Sequence, residues 1–183
     1  MKFLFQPKTR KPANIFIVDD NELDTKMLHQ EFELRTKYNV RSFHSGETFL
    51  KYLISNPPSR KQSTVIILDY NLSMLNVDAK NGIELLKTIR EINRDYEVII
   101  TTKYSDNEII TDALHFGAVN VVKKNENSFI RLDSNIKWIL LQRGLRRKRR
   151  NAISMLVFFF SLTILLSLIA FFSYQNYPQL FDR

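Results

Sequence analysis

Ile15-Phe16-Ile17-Val18-Asp19-Asp20 runs four apolar residues straight into two carboxylates, and Val65-Ile66-Ile67-Leu68-Asp69 repeats the design. An apolar run without alternation suits a strand buried on both faces of a parallel sheet. The acid that follows marks where the chain leaves the core. Three further runs, at 40–43, 98–100 and 119–122, have the same character. Amphipathic stretches lie between them. Leu23, Met27, Leu28 and Phe32 give a first helical face, and Phe49, Leu50, Leu53 and Ile54 a second. Ile83, Leu86, Ile89 and Arg90 begin a third; Ile109, Ala113, Leu114 and Phe116 form a fourth. The fifth starts near Asn127 or Ser128 and runs through Phe129, Leu132, Ile136 and Ile139. Ser45 is placed to cap the second helix, and Asn56-Pro57-Pro58-Ser59 must be a loop. Strands alternating with helices predict a doubly wound α/β domain built on a five-stranded parallel sheet.

Composition narrows the function. The 183 residues can bury a full core. The formal charge of +8 comes largely from Arg143, Arg146, Arg147, Lys148, Arg149 and Arg150, without which the chain is nearly neutral. That argues against a nucleic-acid surface spread over the fold. The absence of cysteine excludes disulfides and thiolate metal sites. His29, His44 and His115 show no ligand spacing, and the apolar run near Met1 is too short for a signal peptide.

In an open parallel sheet, ligands bind beyond the carboxyl ends of the strands, where the strand order reverses. There the sequence puts Asp19 and Asp20 after the first run and Asp69 after the third. Thr101 and Thr102 follow the fourth, and Lys123 and Lys124 the fifth. Crowded carboxylates repel one another, and a hard divalent cation such as magnesium relieves the repulsion. Adding a hydroxyl and an ammonium makes a pocket for a phosphoryl group on a carboxylate, a chemistry of positioning and charge neutralisation.

These residues resemble the receiver domains of two-component response regulators, over roughly residues 13–142. Ile15 to Asn21 matches the family's acidic pair, Ile66-Ile67-Leu68-Asp69-Tyr70-Asn71 its phosphoacceptor, and Phe116-Gly117-Ala118 through Lys124 its closing motif. The resemblance implies a flavodoxin-like sheet of order 2-1-3-4-5. It selects Lys124 over Lys123 and Thr102 over Thr101 by their spacing from Gly117. It implies that Asp69 takes phosphate from a histidine kinase or phosphotransfer protein. Asp20 and Asp69 would bind Mg2+ directly, Asp19 largely through water and Asn71 through its backbone carbonyl. The chain departs from the family in four places. Ser73 replaces a proline in a loop lengthened over 74–80, Lys103 replaces a small residue, Val121 replaces the switching aromatic, and Asn125 replaces a proline.

Residues 152–174 carry no charge and would span about 34 Å as a helix, against about 30 Å of hydrocarbon. The expected organisation is an extension (1–12), a receiver (13–142), a basic juxtamembrane linker (143–151), a transmembrane helix (152–174) and a short extracytoplasmic tail (175–183). The basic cluster keeps the receiver cytoplasmic, on a single-pass protein of the inner or plasma membrane. Arg146, Arg147, Lys148, Arg149 and Arg150 would meet anionic lipid headgroups. Trp138, Leu141 and Leu145 lie opposite Leu132, Ile136 and Ile139 on the fifth helix, an outward stripe for a membrane or cytoplasmic protein partner or a homodimer. No stretch between Lys124 and Arg143 has room for an effector or separate catalytic domain. The expected role is a phosphoacceptor that signals by protein contact, not an enzyme. The alternatives are a phosphorylation-independent adaptor tethered to the membrane and, less favoured, an aspartyl phosphatase, which usually needs an acid where Asn71 stands.

Overall fold

The computed structural model describes residues 12–59, 62–72 and 81–176. Ser73 and the lengthened loop lie outside the described residues, as do the first eleven residues and 177–183. The chain divides into two compact units, Met1–Leu140 and Leu141–Arg183.

In the first unit the elements alternate strictly. They run β1 (Ala13–Val18), α1 (Glu22–Arg35), β2 (Asn39–Phe43), α2 (Gly46–Ser55) and β3 (Ser63–Asp69). Then follow α3 (Gly82–Ile92), β4 (Glu97–Thr102), α4 (Asn107–His115), β5 (Asn120–Lys123) and α5, which begins at Ser128. All pairings are parallel, in the order β2-β1-β3-β4-β5. The expected fold class and strand order are therefore present. Burial follows position in the sheet: every residue of β1 and β3 is buried, whereas the edge strands β2 and β5 are mostly half-exposed. The fully apolar runs are the ones with a neighbour on each side.

Alternation along the strands splits the core in two. Phe16, Val18, Ile66, Leu68, Val98 and Ile100 face α2, α3 and Ala113 of α4. Ile15, Ile17, Val65, Ile67 and Ile99 face Phe32 of α1 and Leu132, Ile136 and Ile139 of α5.

The helix faces hold less uniformly. Ser45 caps α2, its hydroxyl accepting from the Thr48 amide at 3.2 Å. The face expected for α1 is rotated: Leu23 and Met27 are 73% and 68% exposed. The cause is local. Asn21 caps the helix through the amides of Leu23 and Asp24, and Thr25 donates its hydroxyl to the Asp19 carbonyl at 3.0 Å. That bond turns Thr25 inward, and Leu28 and Phe32 follow at helical spacing, which carries Leu23 and Met27 to the outside. Ile54 and Leu114 are likewise exposed; α2 buries only Phe49 and Leu53 completely, and α4 only Ala113. Arg90 turns inward as expected, but its guanidinium donates to the carbonyls of Arg94, Tyr96 and Gly117.

Helix α5 is assigned over Ser128–Asn176 and supplies the described part of the second unit. Among the described residues it is the one helix long and apolar enough to cross a membrane. Ile153, Leu156, Phe158, Phe160 and Leu165 are each more than half exposed. Ser161 and Thr163 return their hydroxyls to the carbonyls of Phe158 and Phe160, so their polar groups need no outside partner.

Candidate functional site

The sheet order places a switch point between β1 and β3. The chain leaves β1 toward β2 on one side and returns to β3 on the other, which opens a crevice at the carboxyl edge. Asp19, Asp20 and Asp69 meet there, with ligand oxygens within 4.8 Å of one another. Asp19 and Asp69 are buried, at 5% and 4% exposure.

Lys124 comes up from the end of β5 between them. Its Nζ donates to Asp19 Oδ2 at 2.7 Å and forms an ion pair with Asp69 Oδ1 at 3.0 Å. Asp69 Oδ1 has no other partner within hydrogen-bond geometry, so the Lys124 ammonium is what holds it. The other oxygen of Asp19 accepts from the Asn21 amide at 3.0 Å. Asp19 is thus held by a cation and a backbone donor, whereas Asp69 is held by a shared cation.

The protonation balance follows. Burial pushes the Asp69 carboxyl above the usual range; the Lys124 charge pulls it back, and the charges of Asp19 and Asp20 push it up again. Burial alone would lower Lys124, but the hydrogen bond and charge of Asp19, with the charge of Asp69, outweigh it and hold the ammonium above its ordinary value. One ammonium among three carboxylates leaves excess negative charge. Hard oxygens this close, one of them with no partner but the Lys124 ammonium, suit a divalent cation, so the residues present fit magnesium.

The other expected residues stand at the same edge. Thr102 ends β4, fully buried, where its hydroxyl accepts from the Tyr104 amide at 3.1 Å and its carbonyl from the Lys124 amide at 2.8 Å. Asn71 lies in the turn two residues beyond Asp69, with its side chain exposed. Asp19, Asp20, Asp69 and Lys124 form the immediate cluster, and Thr102 is tied to it through the backbone of Lys124.

Two residues join the site that sequence reasoning passed over. Asp24, on the first turn of α1, places its Oδ2 3.8 Å from Lys124 Nζ and 4.0 Å from Lys103 Nζ. Gly82, the first residue of α3, lies so close to the phosphoacceptor strand that a Cβ there would stand 2.4 Å from the Asp69 carbonyl oxygen and 2.8 Å from the Tyr70 Cα. Its signal was present as a glycine directly behind an Asn N-cap.

Beside this cluster a cleft of about 500 Å³ runs between α1 and α5. Asp19, Lys124 and Lys103 line it near the carboxyl edge, Leu28 and Phe129 along its wall, and Arg35 toward the far end of α1.

Comparison with known proteins agrees with this geometry. The model of the response regulator receiver domain matches residues 15–135. A CheY-like receiver domain protein from Methanospirillum hungatei is 24% identical with a TM-score of 0.61, covering 73% of this chain and 98% of that one. The BeF3-activated receiver domain of DrrB, from Thermotoga maritima, is 25% identical with a TM-score of 0.54, covering 69% and 97%. NtrX from Brucella abortus is 19% identical with a TM-score of 0.62, and there the match covers 75% of this chain but 29% of NtrX. No curated protein matches. With three carboxylates and a lysine at the switch point of a 2-1-3-4-5 sheet, and a receiver model spanning most of that sheet, the chain belongs to the response regulator receiver domain family.

Proposed function

We propose that Asp69 accepts a phosphoryl group from a phosphorylated histidine of a kinase or phosphotransfer protein, and that the modified domain signals by protein contact at a membrane. The observation that carries this is the placement of Asp69: a buried carboxylate at the switch point, 3.0 Å from Lys124 and beside two further acids. In the transfer, the phosphorus–nitrogen bond of the donor histidine breaks and a bond forms from a carboxylate oxygen of Asp69 to phosphorus. The electron pair stays on the imidazole, which takes a proton from solvent. Such transfers need alignment and neutralisation more than covalent help from the protein. Lys124 supplies a fixed positive charge on one side, and Thr102 supplies a hydroxyl at the neighbouring strand end. Asp20 and Asp69 would hold Mg2+, with Asp19 through water and Asn71 through its carbonyl. Bound there, the ion offsets the negative charge of the carboxylates and the phosphoryl oxygens.

The C-terminal helix fixes this domain to the membrane. No residue of its apolar window is buried in the chain by itself, and exposed apolar surface of that extent demands an apolar surrounding. The flanking Arg146, Arg147, Lys148, Arg149 and Arg150 place the receiver on the cytoplasmic side and meet anionic headgroups. Trp138, Leu141 and Leu145 are 53%, 61% and 52% exposed and form the contact surface for the output partner or a second copy.

The test is labelling with a small phosphodonor and magnesium. An alkali-labile adduct should form on the wild type and vanish in Asp69→Ala. A reporter fused after Arg183 should behave as extracytoplasmic, and a cytoplasmic one would sink the spanning assignment. One observation favours a second reading, a phosphorylation-independent adaptor: Lys124 already bridges Asp19 and Asp69, so the cluster is knitted together without phosphate. Equal labelling of wild type and Asp69→Ala would move the assignment there.

A further inference from the structure

Lys103 and Asp24 stand at the rim of the acidic crevice and take no part in the transfer just described. Asp24 Oδ2 lies 3.8 Å from Lys124 Nζ and 4.0 Å from Lys103 Nζ. Both separations exceed a hydrogen bond, so one carboxylate faces two ammoniums without commitment to either. Because both contacts run to the same oxygen, the two ammoniums are neighbours across a single acid. They differ in freedom. The Lys124 side chain is 14% exposed and tied to Asp19 and Asp69. That of Lys103 is 60% exposed and that of Asp24 40%, so water screens their attraction and little is lost when they part.

We propose that Lys103 is a second phosphoryl-binding cation of this site. Asp24 keeps it at the rim while Asp69 is unmodified. It turns to the phosphoryl oxygens once Asp69 carries them, and it prolongs the phosphorylated state. The proposal rests on the reading of Asp69 as the phosphoacceptor. Phosphorylation exchanges a single carboxylate charge for a group carrying close to two negative charges, while Lys124 remains divided between Asp19 and that group. The added charge draws Lys103, a loosely held cation that shares the Asp24 oxygen with Lys124. Lys103 directly follows Thr102, whose carbonyl receives the Lys124 amide at 2.8 Å. The two lysines therefore rise from hydrogen-bonded strand ends, and the four-carbon stem of Lys103 can swing.

Loss of the phosphate is hydrolysis. A water oxygen bonds to phosphorus, the bond from phosphorus to the Asp69 oxygen breaks, the carboxylate is restored, and the water's proton leaves with inorganic phosphate or to solvent. The water must approach in line, from the side away from Asp69. An ammonium and its stem drawn across the rim obstruct that approach.

The experiment uses the full chain in detergent micelles, labelled by a radioactive acyl-phosphate donor with magnesium. After removal of the donor, decay of the label is followed in wild type, Lys103→Ala, Lys103→Arg, Asp24→Asn and the double variant Lys103→Ala with Asp24→Asn. Decay in Lys103→Ala should be about twofold to fivefold faster, the scale of a partly solvated ion pair, and high salt should shrink the difference. Lys103→Arg should decay at nearly the wild-type rate, and Asp24→Asn no faster than wild type. The double variant should match Lys103→Ala. Equal decay of wild type and Lys103→Ala would overturn the proposal, and so would Asp24→Asn decaying as fast as Lys103→Ala. A fall in Tm parallel to the faster decay would assign the effect to packing and also overturn it. A wild type that takes no label removes the phosphoacceptor reading itself, whereas a labelled chain with unaltered decay removes only the role of Lys103.

Discussion

The face of the sheet under α2, α3 and α4 is closed by aromatic packing, whereas the face under α1 and α5 keeps a cleft of about 500 Å³. On the closed face Phe16 stacks edge-on or tilted against Phe43, Phe49 and Tyr52, with ring centroids between 5.8 and 6.0 Å. Phe43 adds Phe49 and Tyr52 at 5.2 Å. On the open face Phe32 meets Phe129 at 5.0 Å and Tyr38 at 6.2 Å, but the cleft beside them reaches Asp24 and Lys124. Stability is concentrated where the layers interlock. Access is left where the acidic crevice opens.

The contrast can be broken most directly on the closed face. Phe49→Ala deletes a fully buried ring from the aromatic group and should cost about 3–5 kcal/mol, read by urea unfolding of residues 1–142. A loss below about 1 kcal/mol would mean that this face is not the stabilising one.

The next largest effect belongs to the crevice. Lys124→Met leaves Asp19 and Asp69 without their ammonium and should cost about 2–3 kcal/mol at pH 7, below a fully buried pair because the site opens to water. In the wild type, Lys124 is held above its ordinary value. Its contribution is therefore complete below about pH 10.4 and is lost as pH rises through the folded value. The variant should lack that alkaline loss.

Asp69→Asn should act in the opposite sense. The folded carboxyl titrates above the unfolded one, chiefly through burial. Stability from this group is thus full below about pH 3.9 and declines as pH rises through the folded value. The amide escapes that decline, so Tm should rise at neutral pH and converge with wild type in acid. An unchanged Tm at pH 7 would show that Lys124 already cancels the burial cost.

The smallest change is expected on the open face. Met27→Ala, on an exposed flank of the cleft, should alter stability by no more than about 0.5 kcal/mol. A larger loss would show the cleft to be packed in solution, and the two faces would no longer differ in kind.

The strands and the acids at their ends were legible because each is written locally, as a run of apolar residues closed by a charge, whereas the order of the strands in the sheet came from the resemblance. Lys124 and Thr102 needed the resemblance to choose them from adjacent twins, since two lysines and two threonines satisfy the same pattern. The rotation of α1 was not legible. Thr25 reads as polar, and only the Asp19 carbonyl waiting above it makes the inward position favourable. Asp24 reads as an ordinary first-turn acid until the cap at Asn21 aims it at two lysines. Arg90 read correctly as inward-facing, but its targets are carbonyls from two separate stretches, the turn after α3 and Gly117, which no periodicity can display.

The contact of Gly82 with the Asp69 backbone has a mechanical consequence. Helix α3 begins against the main chain of the proposed phosphoacceptor, with no side chain interposed and with the Gly82 amide donating to the Tyr70 carbonyl at 3.0 Å. A joint with clearance absorbs small displacements, and a joint without it passes them on. Any shift of the β3 terminus therefore arrives at α3 undiminished, whereas a side chain would have taken it up in a change of rotamer.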